Sequence, residues 1–251
     1  MGRLITITSG KGGVGKTTSA INIAASLNSL KKEVILVDAN LSTPNIGLHL
    51  GAPIVPISLN HVLQGKAKIS DAIYEHESGT KVIPSSLSIN ELRKMDHGRL
   101  KEVGKKLRKM SDIVIYDSAA GLGEEAIAAI EAADELIIVT NPEIPAVTDA
   151  LKTSKLIEQM GKSILGVVVT RVRGSKSEMP VSNISEMLEL PILGVVPEDQ
   201  RVQTTLVMKE ALVHSFPKCK ASQEYKRIAA HLIGEEYHPR ISLIDRMLGK
   251  Y

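Results

Sequence analysis

Nine consecutive residues early in the chain are of the types that bind phosphate. Residues 10–18 read Gly-Lys-Gly-Gly-Val-Gly-Lys-Thr-Thr and satisfy the pattern G-x-x-x-x-G-K-[ST]. A glycine-rich loop can wrap its backbone N–H groups around phosphate oxygens at angles and distances that a β-carbon would block. The phosphate-binding residues predicted from this run are Gly10, Lys11, Gly12, Gly13, Val14, Gly15, Lys16, Thr17 and Thr18.

Two side chains of this run have a chemical role that the pattern specifies. Lys16 brings a positive point charge to the terminal phosphates of a nucleotide, and the Thr17 hydroxyl is placed to bind Mg²⁺. Mg²⁺ prefers oxygen ligands and commonly takes some of them from a bound phosphate. The run therefore predicts a site for a magnesium nucleotide.

The segments on either side of the run support this interpretation. Residues 3–8 are a short β-branched run, and residues 18–27 have the apolar spacing of a helix. A strand, a loop and a helix N-terminus in this order favour anion binding, because the helix dipole places partial positive charge at the loop. A glycine-rich turn that only joins a strand to a helix is the alternative, and this context makes it the less favoured one.

An acidic residue after a second apolar run completes the predicted magnesium site. Residues 111–116 form an apolar strand pattern, and Asp117 follows it directly. In phosphate-binding ATPases a carboxylate in this position holds Mg²⁺ directly or through water. The same pattern also arises where an aspartate caps the next helix. Because the glycine-rich loop is present, we predict that Thr17 and Asp117 are the metal ligands.

Apolar β-rich runs alternate with helical patterns along most of the chain. Near-continuous Val, Ile and Leu runs predict strands buried on both faces at residues 4–8, 33–38, 81–84, 112–117, 135–140, 163–170 and 191–196. Helical patterns fall at residues 17–30, 71–75, 98–110, 124–132, 146–160, 182–188, 203–209 and 222–233. The alternation predicts an α/β fold with a single doubly wound, mostly parallel sheet flanked by helices. Ligands bind such folds at the carboxyl ends of the strands.

The composition excludes several other kinds of protein. A chain of 251 residues with 43% hydrophobic residues can bury one large core without dividing into several domains. Its single cysteine, Cys219, excludes a disulfide framework, a paired-cysteine metal site and a thiolate-held cluster within one chain. His49, His61 and His214 lie far apart without ligand spacing, so no metal role is predicted for them. No signal peptide and no apolar run of bilayer length is visible, so we expect a soluble cytoplasmic protein.

Five motifs, taken in their order along the chain, resemble those of a known family of ATPases. They read SGKGGVGKTT, VDAN, DSAAG, TNPE and VPED, at residues 9–18, 37–40, 117–121, 140–143 and 196–199. The motifs resemble the MinD branch of the MinD/ParA family of deviant Walker A P-loop ATPases, and they are most similar to archaeal-type MinD. The similarity runs over nearly the whole chain, and the order and spacing of the motifs make it specific.

This resemblance implies an activity and an assembly. Members of the family bind ATP with Mg²⁺ and dimerise face to face, with the nucleotides sandwiched between the subunits. The lysine that matches Lys11 reaches the partner's phosphates and couples dimerisation to hydrolysis. The residues that match Arg171 and the turn of Pro197, Glu198 and Asp199 hold the base. From the residues alone, Lys11 could equally be an ordinary solvated lysine.

One position departs from the family pattern. Most relatives have aspartate as the second acidic residue after the second strand, where it orients the attacking water, and this chain has Asn40, with Asp38 two residues earlier. An amide donates and accepts hydrogen bonds but cannot take up a proton or carry the negative charge. Both positions are predicted to be catalytic, together with Lys11 and Lys16. Three alternatives follow: Asn40 still positions the water, Asp38 replaces the missing carboxylate, or hydrolysis is slow.

The last residues of the chain have the pattern of a short interfacial helix. Proline at position 239 suits a first helical turn, and Ile241, Ile244 and Leu248 form an apolar stripe between Pro239 and Lys250. Basic residues at its edges suit anionic headgroups, and MinD relatives end in a similar membrane-targeting helix. A terminal helix packed on its own domain is the alternative. Such a helix is too short to bind stably alone, so two copies in a dimer are needed.

A basic stretch from Arg93 to Lys109 keeps a DNA-binding alternative open. Leu100, Val103, Leu107 and Met110 supply an apolar stripe to the same predicted helix, so its lysines are interpreted mainly as a solvated face. The net charge of +3 does not by itself imply nucleic acid. The ParA branch of the family holds DNA nonspecifically through basic surface, and salt-sensitive binding to arbitrary duplex would support that alternative.

These observations predict an ATPase domain over residues 1–236 and a C-terminal membrane-targeting segment over residues 237–251. The predicted function is an ATP-dependent dimerisation switch at the inner face of the cell membrane, positioning cell division or another cell-surface assembly. The predicted partners are ATP/ADP with Mg²⁺, a second copy of the chain, an anionic membrane and an unidentified protein activator or cargo. The alternatives are a DNA-partitioning ATPase and a slowly hydrolysing interaction scaffold.

Overall fold

The computed structural model describes residues 2–92 and 95–237, and their strands form one sheet. The strands are β1 (Arg3–Ser9), β2 (Val34–Ala39), β3 (Tyr74–Glu75), β4 (Lys81–Ile83), β5 (Ile113–Ala120), β6 (Glu135–Thr140), β7 (Ser163–Val172) and β8 (Ile192–Pro197). Their order across the sheet is β3-β4-β2-β5-β1-β6-β7-β8. All the pairings are parallel except that of the edge strand β3 with β4. The predicted mostly parallel sheet is confirmed.

Helices connect the strands of the described residues, except that β3 and β4 are joined by a turn. They are α1 (Lys16–Ser29), α2 (Ile46–His49), α3 (Leu59–Leu63), α4 (Ile89–Leu92), α5 (Leu100–Leu107), α6 (Glu124–Ala132), α7 (Ile144–Gln159), α8 (Val181–Leu188), α9 (Arg201–Met208), α10 (Leu212–Ser215) and α11 (Lys220–Leu232). Two 3₁₀ turns lie at Ile69–Ala72 and His97–Arg99. None of the helices in residues 2–92 and 95–237 is both long and apolar enough to cross a bilayer.

Helices cover the sheet on both faces because successive strand residues point to opposite sides of it. Ile5 and Ile7 of β1 belong to a core cluster with α1, α10 and α11. Leu4 of the same strand belongs to a second cluster with α5, α6, α7 and α8. Both clusters consist of side chains removed from water, and burial of each large aliphatic side chain contributes about 1.5–3 kcal/mol. The doubly wound prediction is therefore confirmed.

The local differences from the predicted elements have tertiary causes. The predicted helix at residues 71–75 is wrong, because this stretch is a 3₁₀ turn followed by β3. Tyr74 pairs with Val82 of β4, and its hydroxyl donates to the carbonyl oxygen of Ile57 at 2.9 Å, so edge pairing overrides the local pattern. The short helices α2, α3, α4 and α10 were not predicted, because four or five residues are too few to show helical periodicity.

Two longer elements also differ from the prediction. Strand β5 does not end at Asp117 but runs on to Ala120, which pairs with Ser9 of β1. The helix predicted at residues 98–110 is shorter, and Met110 lies beyond the end of α5 with 43% of its surface exposed. Leu100, Val103 and Leu107 are buried as predicted, and the lysines of α5 are exposed. The other long helices have ends within two residues of those predicted.

Candidate nucleotide site

The glycine-rich loop joins the carboxyl end of β1 to the N-terminus of α1. Gly13 and Gly15 have φ of +77° and +88°, which side chains with a β-carbon rarely adopt. A β-carbon built on Gly12 or Gly13 meets nothing within 4 Å and projects into open space. At Gly10 a β-carbon would lie 2.3 Å from the Asp149 carbonyl oxygen, so this glycine allows α7 to approach the loop. The loop thus has an open cradle lined by backbone, which fits a phosphate group.

The first turn of α1 places two side chains on Asp117. Lys16 Nζ lies 2.8 Å from Asp117 Oδ1, and Thr17 Oγ1 donates to Asp117 Oδ2 at 2.6 Å. Asp117 is completely buried, and Lys16 is buried with it. A buried carboxylate is stable when a cation and hydrogen bonds compensate its charge. The hydroxyl and the carboxylate are hard oxygen donors of the type that Mg²⁺ takes, so the predicted metal ligands lie together.

Asp38 lies beside Asp117 but has different partners. Its Oδ2 accepts backbone N–H hydrogen bonds from Asn45 and Ile46, both at 2.9 Å, and its Oδ1 accepts one from Asn40 at 3.3 Å. Burial, with a further contribution from the charge of Asp117, raises the pKa of Asp38 to about 8 despite these hydrogen bonds and Lys16. Asp38 therefore organises the loop that follows β2.

The amide of Asn40 is engaged within that same loop. Its Nδ2 donates to the Thr43 carbonyl oxygen at 2.6 Å, and its Oδ1 accepts from Thr43 Oγ1 at 3.0 Å. The loop is also attached to α6, because Ser42 donates from its backbone N–H to Glu125 Oε2 at 3.1 Å. The side chain of Asn40 is nearly fully buried by these contacts. Both ends of its amide are therefore already paired.

The second lysine of the glycine-rich loop forms its ion pair with Glu143 and not with Asp117. Lys11 is 43% exposed at its side chain, and its Nζ lies 3.6 Å from Glu143 Oε2. Glu143 is itself 58% exposed and immediately precedes α7. An exposed ion pair of this kind contributes little to stability. The two lysines of the loop thus lie in opposite settings, with Lys16 buried on Asp117 and Lys11 at the surface.

A cavity of about 460 Å³ opens in front of the loop and receives residues from several elements. Six of residues 10–18 line it, together with Asn40, Arg171, His49 of α2 and Leu206 of α9. Its lining consists of Ser9, Gly12, Gly13, Gly15, Lys16, Thr17, Thr18, Asn40, Thr43, Asn45, His49, Ala120, Arg171, Val202, Gln203 and Leu206. The cavity brings together the loop and the end of β2, as the sequence predicted.

A second cavity of about 180 Å³ adjoins the first and shares five lining residues with it: Gly15, Thr18, Arg171, Val202 and Gln203. Arg171 lies at its rim with φ of +55°, a left-handed conformation that is uncommon for a side chain of this size. The same cavity is also lined by Pro197, Glu198 and Asp199, together with Tyr225 of α11. The predicted base-contact residues therefore come together.

The acidic residues of this second cavity are held by arginines. Asp199 Oδ1 accepts from the Arg201 backbone N–H at 3.0 Å and from Nε at 2.8 Å. Glu198 pairs with Arg173, whose Nη2 lies 3.0 Å from Oε1, and this bond lowers the pKa of Glu198 below its ordinary value. The side chain of Asp199 is 9% exposed and that of Glu198 is 40% exposed, so Asp199 is the more buried of the two.

Sequence reasoning missed several residues that complete the site. The Thr170 hydroxyl donates to the carbonyl oxygen of Val14 and so fixes the loop to β7. Tyr225 closes the second cavity, and its hydroxyl lies 3.3 Å from Ser19 Oγ. No role was predicted for His49, which lines the cavity of about 460 Å³. These residues lie far from the loop in sequence, so no local pattern connects them with it.

The other histidines named in the sequence analysis lie away from the two cavities. His61 pairs with Ser58 at the start of α3, and His214 lies in α10, so neither reaches the two cavities. Within residues 2–92 and 95–237, three or more His, Cys, Asp or Glu side chains nowhere form a metal-binding cluster. The segment from Pro239 to Lys250, together with Arg93 and Lys94 of the basic stretch, lies outside the described residues.

The fold and the glycine-rich loop define a P-loop nucleotide-binding protein, and comparison with known proteins gives its family. The model of the CobQ/CobB/MinD/ParA nucleotide binding domain matches residues 5–211. This match covers most of the chain, which therefore belongs to that family. The predicted membership of the MinD/ParA family is confirmed.

Individual proteins of the family resemble most of the chain. An uncharacterized ATP-binding protein of Methanocaldococcus jannaschii is 41% identical over 237 residues, covering 94% of this chain and 90% of that protein. The septum site-determining protein MinD of Pyrococcus horikoshii, solved in complex with Mg-ADP, has a TM-score of 0.89 and 34% identity over 92% of this chain and 96% of its own. MinD in the MinC:MinD cell division protein complex of Aquifex aeolicus has a TM-score of 0.84 and 29% identity, covering 95% and 98%.

Proposed function

We propose that this protein is a Mg-ATP-dependent dimerisation switch of the MinD type that hydrolyses ATP slowly and acts at the inner face of the cell membrane. The ATPase domain comprises residues 1–236, and residues 237–251 form the membrane-targeting segment. Family membership and the similarity to MinD support this assignment. The dimer, the membrane contact and the rate of turnover are the parts that experiments must test.

The proposal rests on the difference in burial between the two lysines of the loop. Lys16 is buried within its own subunit, where its Nζ lies 2.8 Å from Asp117 Oδ1. Lys11 has its ammonium group at the surface, and Glu143 at 3.6 Å is its ion-pair partner among residues 2–92 and 95–237. A surface lysine beside a phosphate cradle can contact the phosphates of a second subunit facing it, which a buried lysine cannot do. This arrangement favours two nucleotides shared across a dimer interface.

The described residues also support a division of roles at the nucleotide. The N–H groups around Gly13 and the Lys16 ammonium would hold the phosphates, and Thr17 and Asp117 would hold Mg²⁺. When bound, Mg²⁺ neutralises charge on the phosphate oxygens. The second cavity would receive the base, between Arg171 and the turn of Pro197, Glu198 and Asp199.

The surroundings of Asn40 and Asp38 favour slow hydrolysis. The Asn40 amide is paired at both ends with Thr43, so it must break these bonds before it can contact a water molecule. Asp38 accepts backbone hydrogen bonds on both oxygens, which favours a role in holding the loop over that of a substitute base. Of the three alternatives left open by the sequence, these contacts support slow turnover.

The position of the chain beyond α11 is compatible with a membrane contact that leaves the nucleotide face free. The carbonyl oxygen of Leu232, the last residue of α11, accepts from Arg3 Nη1 at 2.7 Å. Arg3 begins β1, and the glycine-rich loop follows the other end of that strand. The end of α11 therefore lies near the amino end of β1, whereas the glycine-rich loop lies at its carboxyl end. A protein partner, of which MinC in the Aquifex aeolicus complex is an example, would bind in addition.

The test is the mass of the protein in solution, measured by light scattering with Mg-ATP, with Mg-ADP and without nucleotide. We expect a dimer only with Mg-ATP, and a monomer for Lys11→Ala under every condition although it still binds ATP. Lys105→Ala, which removes an exposed lysine of α5, is the matched control and should dimerise as the parent does. An identical ATP-dependent dimer in Lys11→Ala would remove this lysine from the interface, and a parent that stays monomeric would refute the switch.

A DNA-partitioning ATPase is the second candidate, and one observation favours it. Lys101, Lys105, Lys106 and Lys109 are exposed on or just after α5 and have no ion pair among the described residues. Binding to duplex of arbitrary sequence that weakens steeply with salt, and that is lost in Lys105→Glu/Lys109→Glu, would establish this function. Binding to anionic vesicles alone would exclude it.

A further inference from the structure

The imidazole of His49 lines the cavity of about 460 Å³ in front of the loop. Asn40, where the family pattern has an aspartate, lines the same cavity. His49, the last residue of α2, lines the cavity of about 460 Å³ that also contains Gly13, Lys16, Thr17 and Asn40. Its side chain is half-buried, and the imidazole makes no hydrogen bond or ion pair with any other described residue. A polar ring without a partner inside a binding cavity is available to a ligand.

The position of His49 is fixed by the loop that Asp38 organises. The first turn of α2 is attached to Asp38 Oδ2 through the backbone N–H groups of Asn45 and Ile46. The His49 backbone N–H donates to the Asn45 carbonyl oxygen at 3.0 Å, and the Ile46 side chain is completely buried. The short helix is therefore anchored at its start and by its apolar face, which holds the ring at the cavity.

The chemistry of this ring supplies what Asn40 lacks. An amide cannot accept a proton, whereas a neutral imidazole accepts one readily near neutral pH. Burial lowers the pKa of His49 from its ordinary value of 6.5, and the negative charge of Asp117 opposes this effect in part. The ring is therefore neutral at pH 7 and has a free lone pair.

We propose that His49 is a catalytic residue that accepts the proton of the water molecule attacking the γ-phosphate of ATP. The water oxygen forms a bond to the γ-phosphorus, and the bond from that phosphorus to the bridging oxygen breaks, with its electron pair leaving on ADP. One water proton passes to the lone pair of the imidazole, which later releases it to solvent. This role rests on the proposed ATPase function.

Other ionisable groups surround the same cavity and must be separated from His49 in any test. Lys16 and Arg171 line it, and Asp117 and Asp38 are register partners on β5 and β2. Lys209 directly follows α9, which packs against α2. Asp38 in particular titrates at about 8, within the range of a pH profile. A comparison of the parent with a His49 variant removes the contributions that the two proteins share.

The kinetic test uses His49→Gln, which keeps a hydrogen-bonding side chain but cannot take up a proton. We expect kcat to fall at least about tenfold while the Kd for Mg-ATP stays unchanged, because general-base catalysis contributes roughly 10²–10⁴ in rate. The kcat of the parent should decline with falling pH as the ring takes up its proton, and that decline should be absent in His49→Gln. His231→Gln, an exposed histidine of α11, is the matched control and should behave as the parent does.

A second readout does not depend on turnover. The imidazole NMR signal of His49, identified by its loss in His49→Gln, should shift when Mg-ADP with aluminium fluoride is added. Mg-ADP alone should shift it much less, because it lacks a group at the γ position. No selective shift, or equal kcat in parent and His49→Gln, would overturn the assignment of His49. Absence of turnover in both the parent and Asn40→Asp would instead contradict the ATPase function itself.

Discussion

Asp38 and Asp117 are directly opposite each other in register on the adjacent parallel strands β2 and β5, and within the described part of the chain only Asp117 forms an ion pair with a cation. Lys16 and Thr17 compensate the charge of Asp117, whereas Asp38 receives three backbone N–H groups and no cation. Two buried carboxylates this close cannot both ionise without cost. One of them is therefore suited to hold a metal, and the other organises the neighbouring loop.

The first prediction concerns the buried lysine. Lys16→Ala should raise the Kd for Mg-ADP at least about hundredfold, because it removes the charge-assisted contact to the phosphates. Isothermal titration calorimetry of parent, Lys16→Ala and Lys11→Ala measures this directly. Lys11→Ala serves as the control and should bind nearly as well as the parent, since its ammonium group lies outside the cavity. Unchanged affinity in a folded Lys16→Ala protein would show that the loop does not hold phosphate in this way.

The second prediction follows from the raised pKa of Asp38. Unfolded Asp38 ionises near 3.8, while the folded protein keeps this proton until about pH 8, so the native state binds more protons between those values. This contribution to stability is fully present below pH 3.8 and is lost as the pH rises through about 8. The free energy of unfolding of Asp38→Asn minus that of the parent should therefore increase as the pH rises, by at least about 1.4 kcal/mol.

Urea unfolding at pH 5, 6.5 and 8 without Mg²⁺ or nucleotide checks the Asp38 prediction. Contributions from histidines occur in both proteins and cancel in the difference. Asp71→Asn, which removes an exposed carboxylate, is the control and should show a difference from the parent that does not change with pH. The same flat difference for Asp38→Asn would mean that Asp38 is already ionised in the folded protein.

The third prediction concerns turnover. Asn40→Asp should raise the rate of ATP hydrolysis at least about tenfold, because it adds a carboxylate that can orient the attacking water for the proposed proton transfer to His49. Asp38→Asn should lower the rate below that of the parent, since the loop after β2 loses part of its anchor. Release of phosphate measured at saturating Mg-ATP tests both. A parent rate equal to that of Asn40→Asp would mean that another group performs this task.

The fourth prediction concerns the membrane. Burial of Ile241, Ile244 and Leu248 should contribute about 1.5–3 kcal/mol each if it were complete, and nearby basic residues add about 1 kcal/mol apiece on anionic lipid. Ile244→Glu should therefore abolish ATP-dependent sedimentation with anionic liposomes while ATP binding is retained. Ile54→Glu alters a side chain that is 88% exposed elsewhere on the domain and should sediment as the parent does. Undiminished sedimentation of Ile244→Glu would refute the membrane segment.

Local sequence was sufficient for the parts of the molecule whose residues are contiguous. The geometry of the loop at residues 10–18 is determined by residues within the loop, because Gly13 and Gly15 adopt the left-handed conformations that the phosphate pattern requires. The long strands and helices were also predictable, since their periodicity extends over enough residues to be read. Residues 124–132 and 135–140 were predicted with the same bounds that α6 and β6 have.

Tertiary structure decided the features that depend on distant residues meeting. His49 lies in a four-residue helix without a readable pattern, and it reaches the cavity only because Asp38 fixes the loop before it. The raised pKa of Asp38 arises from burial and from the charge of Asp117, and neither is a local property of the chain. Sequence determined which groups are present and the elements that carry them, because these follow from short-range conformational preference. Only the packing of the sheet determined which groups line the same cavity and how strongly their charges interact, because electrostatic energies depend on distance and burial in three dimensions.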